Sequence, residues 1–231
     1  MIDPNAIVLG VALFGSRARG DFYDKSDVDV LLWTTGKFPS VQTNGILSLS
    51  FYPHADLLKK AADGDLFVSH VVHEAVPIWD PRDLLSELRE AFTPKKSFDK
   101  IISDAAELGS LLIHRADTIK PRLLNRRIAW VVRTILIARA AERGQYLFSA
   151  NALATFLDVH EAEVLIAARD ELLKDDCRLA AFARILQRWG NDRYLAAPSE
   201  SYYQLFSKSA NELGLRTLRE IRAADETSDY F

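Results

Sequence analysis

LFGSRARGDFYDKSDVDVLLW, residues 13–33, sets an apolar run, a Gly-Ser pair, two arginines and a spaced pair of aspartates within one short segment. The run begins upstream: residues 6–14, AIVLGVALF, are apolar throughout, which predicts a buried central strand. Gly15 and Ser16 follow that strand directly. A glycine there permits close backbone approach, the next amides point outward as a nest or helix start, and a serine adds a hydroxyl donor. Together these groups suit a phosphate. Arg17 and Arg19 add positive charge. Residues 27–33, DVDVLLW, predict the next strand, in which Asp27 and Asp29 alternate with Val28 and Val30, so both carboxylates project from one face. Acids in an apolar strand cost stability unless something neutralises them, and Mg²⁺ takes one or two protein carboxylates and completes its shell with water and phosphate oxygens. A phosphate cradle facing such a pair points to phosphoryl-type chemistry.

Outward from this segment, TTGKFPSVQTNG (34–45) reads as a loop, and ILSLSFY (46–52) alternates with period two up to Pro53, predicting a third strand. Residues 54–75 have a helical pattern broken at Asp63-Gly64, and VPIWDP (76–81) is a short extended piece. From PRDLLSELREAF (81–92) onward the β-branched runs disappear. Helical periodicity covers 97–115, 121–143, 150–157, 160–173, 178–190 and 200–223, the last with a split near Gly214. With the linker at TPKKS (93–97), the chain divides into a small domain containing the strands, 1–92, and a helical bundle, 93–231.

The 231 residues are 48% hydrophobic and 26% charged, the composition of a globular protein with a sizeable core. Cys177, the one cysteine, excludes an internal disulfide framework and a zinc-type spacing, which fits a reducing, cytoplasmic setting. No signal-type leader opens the chain and no apolar run approaches the roughly 18 residues of a membrane span, so no membrane association is expected. A net charge of -3 argues against a generally basic nucleic-acid binder, yet residues 115–143 hold eight Lys/Arg against only Asp117 and Glu142.

GSRARGDFYDKSDVDV resembles the signature of the DNA polymerase β-like nucleotidyltransferase superfamily: a hydrophobic residue, Gly-Ser-x-Ala-Arg-Gly, a gap, then Ser-Asp-x-Asp-hydrophobic. The resemblance is nearest to the minimal nucleotidyltransferases and the antibiotic, kanamycin nucleotidyltransferase-like enzymes. It implies an α+β fold, with a small mixed-sheet nucleotidyltransferase domain followed by an all-α helical bundle domain. It implies that Gly15 and Ser16 bind the triphosphate of an NTP, with Arg17 and Arg19 adding charge or supporting the turn. Asp27 and Asp29 become the catalytic acids, ligating one or two Mg²⁺. The implied reaction is attack of an acceptor oxygen on the α-phosphorus with loss of pyrophosphate. An NMP, first of all AMP from ATP, would pass to a protein, RNA or small-molecule acceptor. By analogy with stand-alone members, the setting is a toxin-antitoxin or defence pair with a partner protein. An aminoglycoside acceptor is the further alternative, although the basic segment favours an anionic acceptor or partner over a polycation. Sequence alone leaves the NTP, the acceptor and homo-oligomerisation open.

Active members of the superfamily carry a third carboxylate on the next strand, where ILSLSFY offers Ser48 or Ser50. Asp56 stands just beyond Pro53, but an acid in a first helical turn is accounted for by the helix dipole. This departure motivates a rival reading, a degenerate domain that binds a nucleotide or a partner protein as a regulatory, antitoxin-like module without turnover. Elsewhere, Arg122, Arg126 and Arg133 share a stripe opposite Leu124, Ile128, Val131 and Ile135. The stripe reads first as a solvated bundle face, and more sharply as a surface for a nucleotide, an RNA or an acidic partner. His70 and His73 are spaced i, i+3 without an evident third ligand, and Trp130, Trp189 and Tyr202/Tyr203 read as core or interface aromatics. No Arg precedes a His at the HEPN ribonuclease spacing, which argues against a HEPN nuclease in the helical half.

Overall fold

A computed structural model describes residues 6–22, 26–190 and 201–226, with side chains up to Ala223 in the last helix. The chain separates into two compact units, Met1–Lys96 and Ser97–Phe231.

The first unit runs β1 (Val8–Phe14), α1 (Ser16–Arg19), β2 (Val28–Thr34), β3 (Ser40–Asn44), β4 (Leu47–Pro53), α2 (His54–Ala62), α3 (Leu66–Glu74), β5 (Val76–Trp79) and α4 (Leu84–Ala91). Its strands form one mixed sheet in the order β3-β4-β2-β1-β5. β2 and β4 pair in parallel and the other neighbours are antiparallel. Ala12 and Phe14 of β1 and Leu31 and Trp33 of β2 share a face with Leu57, Val68, Val71, Leu85 and Leu88 of the helices, giving one buried core. The Asp63-Gly64 break ends α2, and Asp65 restarts the chain as α3 by accepting from the Phe67 and Val68 amides at 2.9 and 3.1 Å.

Two strand expectations change. Residues 40–44 form a strand rather than a loop. SVQTN lies on the sheet edge with little burial, so its apolar alternation is absent, and Gly45 at φ +60° closes a tight hairpin onto β4. β1 is an interior strand, but its burial alternates along its length, because the helical layer packs on the Ala12/Phe14 side.

The second unit is helical: α5 (Asp99–His114), α6 (Pro121–Glu142), α7 (Ala150–Leu157), α8 (Glu161–Ala167), a short 3₁₀ turn at Ala168–Asp170, α9 (Asp176–Trp189), α10 (Tyr202–Ser209) and α11 (Glu212–Glu226). Ser149, Asp175 and Ser201 cap α7, α9 and α10 with side-chain oxygens. Leu108, Leu112, Val131, Ile135, Leu153 and Phe182 belong to its continuous core. The break in the C-terminal helical segment falls at Ala210 (φ +53°), not at Gly214. Gly214 lies inside α11, where a methyl group would come within 2.7 Å of the Phe206 ring, so that glycine serves close packing. Trp189 is buried as expected, but Trp130 is 39% exposed and is not a core residue. Among the described residues no helix is long and apolar enough to cross a membrane.

Candidate active site

The pairing of β1 with β2 ends at Phe14 opposite Asp29. Because these strands are antiparallel, the chain that continues into Gly15 and Ser16 runs back towards Asp27. Gly15 has φ +76° and ψ −158°, a conformation essentially restricted to glycine, and its missing side chain has a direct purpose. A methyl group there would lie 2.6 Å from Asp29 Oδ2, so the carboxylate packs against the bare backbone of the turn. From this turn Ser16 opens the four-residue helix α1, which Gly20 ends in the left-handed conformation.

The two arginines of α1 hold structure around this turn. Arg17 donates from Nη2 to the Ser26 carbonyl at 3.1 Å and lies over the Phe22 ring at 4.7 Å, fastening the approach to Asp27. Arg19 donates from Nη1 to Glu74 Oε2 at 2.6 Å and also bonds Asp21 at 3.1 Å. Glu74, in the last turn of α3, has a side chain only 8% exposed and also meets His70 Nε2. His70 packs edge-on against Phe14, the residue before Gly15, at a ring separation of 5.5 Å. Glu74 is therefore a site-neighbouring residue that sequence reasoning missed. The available signal was a pair of polar residues, His70 and Glu74, in phase with Phe67 on α3. His73 turns elsewhere, its Nδ1 lying 2.7 Å from the Ser69 carbonyl and its ring against Phe92, so the two histidines do not converge.

β4 lies in parallel beside β2, with Asp29 in register with Ser48 and Leu31 in register with Ser50. Ser48 is thus the lateral neighbour of Asp29 on the same face, while Ser50 sits one step deeper beside the core and is buried. Asp56 belongs to the first turn of α2, beyond the far end of β4, about 16 Å of strand from Ser48. Its charge acts on Tyr52, whose hydroxyl pKa is raised first by burial, opposed by Lys60, and raised further by Asp65 and Asp56. Among the described residues no group of three or more His, Cys, Asp or Glu gathers as a metal site.

A glycine-serine turn thus closes onto a strand carboxylate at the end of the sheet where β1 ends and β2 and β4 begin, and a family profile described as nucleotidyltransferase domain matches residues 3–137. The chain belongs to that family. The match takes in the whole of the first unit's sheet and helices and reaches into α6. A nucleotidyltransferase-like protein from Exiguobacterium sibiricum, of known crystal structure, aligns over 92% of this chain and 86% of its own at 16% identity and a TM-score of 0.34. No curated protein matches the chain.

The donor set fits a divalent cation. Asp27 and Asp29 offer hard carboxylate oxygens two residues apart where β2 begins, and Mg²⁺ needs no more than one or two such ligands from protein when substrate phosphates supply the rest.

Proposed function

We propose that the first unit transfers a nucleoside monophosphate, AMP from ATP first among the candidates, to an acceptor hydroxyl with release of pyrophosphate. The observation that carries this reading is the seating of the Asp29 carboxylate against the side-chain-free Gly15 turn, within a family defined by nucleotidyl transfer. Gly15 and Ser16 would receive the triphosphate, Ser16 by its hydroxyl and the turn by its outward amides. Asp27 and Asp29 would hold Mg²⁺, which supplies charge neutralisation at the phosphates and at the developing oxyanions. Asp29 is kept in place by its seat at Gly15, and Asp27 by the Arg17–Ser26 tether one residue before it. In this reading Arg19 is a positioning residue: its guanidinium is committed to Glu74 and Asp21, so it fixes α1 rather than reaching a phosphate. The acceptor oxygen forms its bond to the α-phosphorus as the bond to the bridging oxygen breaks. Pyrophosphate leaves, and the acceptor proton passes to solvent, since Ser48 beside Asp29 is no base at neutral pH.

The test is incubation with each of the four NTPs labelled at the α-phosphate, with Mg²⁺ and candidate protein, RNA and small-molecule acceptors. Transfer that is lost in Asp27→Asn and Asp29→Asn supports the enzyme. The register of Ser48 with Asp29 favours a second reading, a domain that binds nucleotide without turnover. Nucleotide binding with no transfer across all donors and acceptors would establish that reading instead.

A further inference from the structure

The helical unit contains an open-mouthed cavity of about 670 Å³ on one face of α6, bordered by Ile166 of α8, Arg169 of the 3₁₀ turn and Glu220 of α11. Arg126, Arg127, Arg133 and Arg169 line it together with the Glu220 carboxylate, and Trp130 stands among them. The volume lies within the range of about 300–1,000 Å³ typical of small-ligand sites. Two of the arginines that read in sequence as a solvated stripe, Arg126 and Arg133, are walls of this cavity, whereas Arg122 is exposed and outside it.

The arginines differ in how firmly they are held. Arg127 is largely buried and tied to Glu220 of α11, so it belongs to the frame of the cavity. Arg126 and Arg169 share one carboxylate, Asp170, at 3.3 and 2.8 Å, and both members of the Arg126 pair are half exposed. Exposed ion pairs of this kind contribute little, so an incoming anion can take over the Arg126 guanidinium at small cost. Arg133 donates from Nη2 to the Phe148 carbonyl at 3.3 Å, a long bond to a neutral acceptor that orients the guanidinium at the cavity wall. Planar guanidinium groups favour phosphate oxygens, and a half-exposed indole offers a stacking face.

The order along α6 is specific. Arg126, Trp130 and Arg133 follow at i, i+4 and i+7, so the indole lies about 6 Å along the axis from one guanidinium-bearing position and about 4.5 Å from the other. An aromatic plane flanked on both sides by cations matches a base flanked by the phosphates of its own strand.

We propose that this cavity binds a nucleoside phosphate, with the base against Trp130 and phosphates at Arg126, Arg133 and Arg169. The ligand is either free nucleotide or one link of a single strand. This site lies wholly in the helical unit, and its test reads binding rather than transfer. Failure here therefore leaves the nucleotidyl-transfer reading untouched.

The experiment uses the full chain in EDTA. Binding of a short fluorescent oligoadenylate is followed by anisotropy, and binding of AMP and ATP by calorimetry, with polyglutamate as a competitor of plain negative charge. The expected result is oligoadenylate binding that weakens about tenfold in Trp130→Ala and further in Arg126→Glu/Arg133→Glu. The slope of log affinity against log salt should fall by about 0.7 for each phosphate that the variant no longer neutralises. Arg122→Ala, on the same helix but outside the cavity, leaves this binding unchanged. AMP or ATP binding with the same sensitivity to these variants also supports the site and assigns it to free nucleotide. No binding of either ligand, equal binding by the variants, or displacement by polyglutamate as effective as by unlabelled oligoadenylate would overturn the proposal. The substituted side chains are partly exposed on α6, and an unchanged Tm in each variant confirms that the loss is one of binding.

Discussion

Asp29 Oδ2 occupies the space that a side chain on residue 15 would need, 2.6 Å from the position of its Cβ. Gly15 is doubly constrained, by this contact and by a φ of +76°. Gly15→Ala is expected to cost about 1–3 kcal/mol of stability, from backbone strain alone, and to displace the carboxylate. Urea denaturation of the variant checks the first effect, and loss of NTP binding in the presence of Mg²⁺ checks the second.

Arg19 and Glu74 form the second fixed pair around the turn, 2.6 Å apart with Glu74 nearly buried. Removing the cation strips that carboxylate of its main charge partner. Arg19→Ala should destabilise the unit by about 2 kcal/mol, less than for a fully buried pair because Arg19 retains some solvent contact. Glu74→Gln in the same chain should recover part of the loss, and a double-mutant cycle measured in urea gives the coupling. A direct phosphate role for Arg19 would instead appear as a raised KM for NTP that Glu74→Gln does not relieve.

Gly214 sits against the Phe206 ring, and a methyl group on it would approach within 2.7 Å. Gly214→Ala gains helix propensity but overpacks the α10–α11 contact, and the steric effect is the larger of the two. A net loss of about 1 kcal/mol in thermal or urea unfolding is expected. Gly214→Ala combined with Phe206→Leu should be less destabilised than the sum of the single changes.

Tyr52 provides a pH signature. Its hydroxyl pKa is raised above the ordinary 10.0, chiefly by burial, and its ring stacks on Phe67 at 4.9 Å. A raised folded-state value means the unfolded chain loses this proton first as pH climbs. The contribution is therefore fully present below pH 10 and disappears as pH rises from there through the raised value. Tyr52→Phe keeps the stack, removes the titration and should flatten the alkaline fall of stability, measured by urea unfolding across that window.

Much of the first unit is legible in the sequence because its signals are local. The apolar run of β1, the Gly15-Ser16 turn and the Asp-Val alternation of β2 each specify their own geometry. β3 is not legible, since an edge strand such as SVQTN has no buried face to impose a pattern. The neighbours of the acids depend on pairing that no local pattern encodes. Ser48 reaches Asp29 through a parallel register set across the β3–β4 hairpin, and Glu74 reaches Arg19 from 55 residues away. Arg126 and Arg133 are visible as a stripe, but only the packing of α8 and its 3₁₀ turn on α6, with Glu220 of α11 beside them, turns that stripe into a cavity. Gly214 reads as a helix stop because glycine's backbone freedom and its lack of bulk leave the same mark in a sequence.

Nucleotidyl transfer at the Gly15-Ser16 turn and the Asp27/Asp29 pair is tested most directly by two labels followed in parallel. One is on the α-phosphate and one on the γ-phosphate of the NTP, with Mg²⁺ and acceptor present. The α-label is expected to join the acceptor while the γ-label appears in pyrophosphate, in equal amounts, and Asp29→Asn is expected to abolish both. Release of the γ-label as inorganic phosphate with no α-label on any acceptor, or transfer that survives Asp29→Asn undiminished, would contradict nucleotidyl transfer at this site.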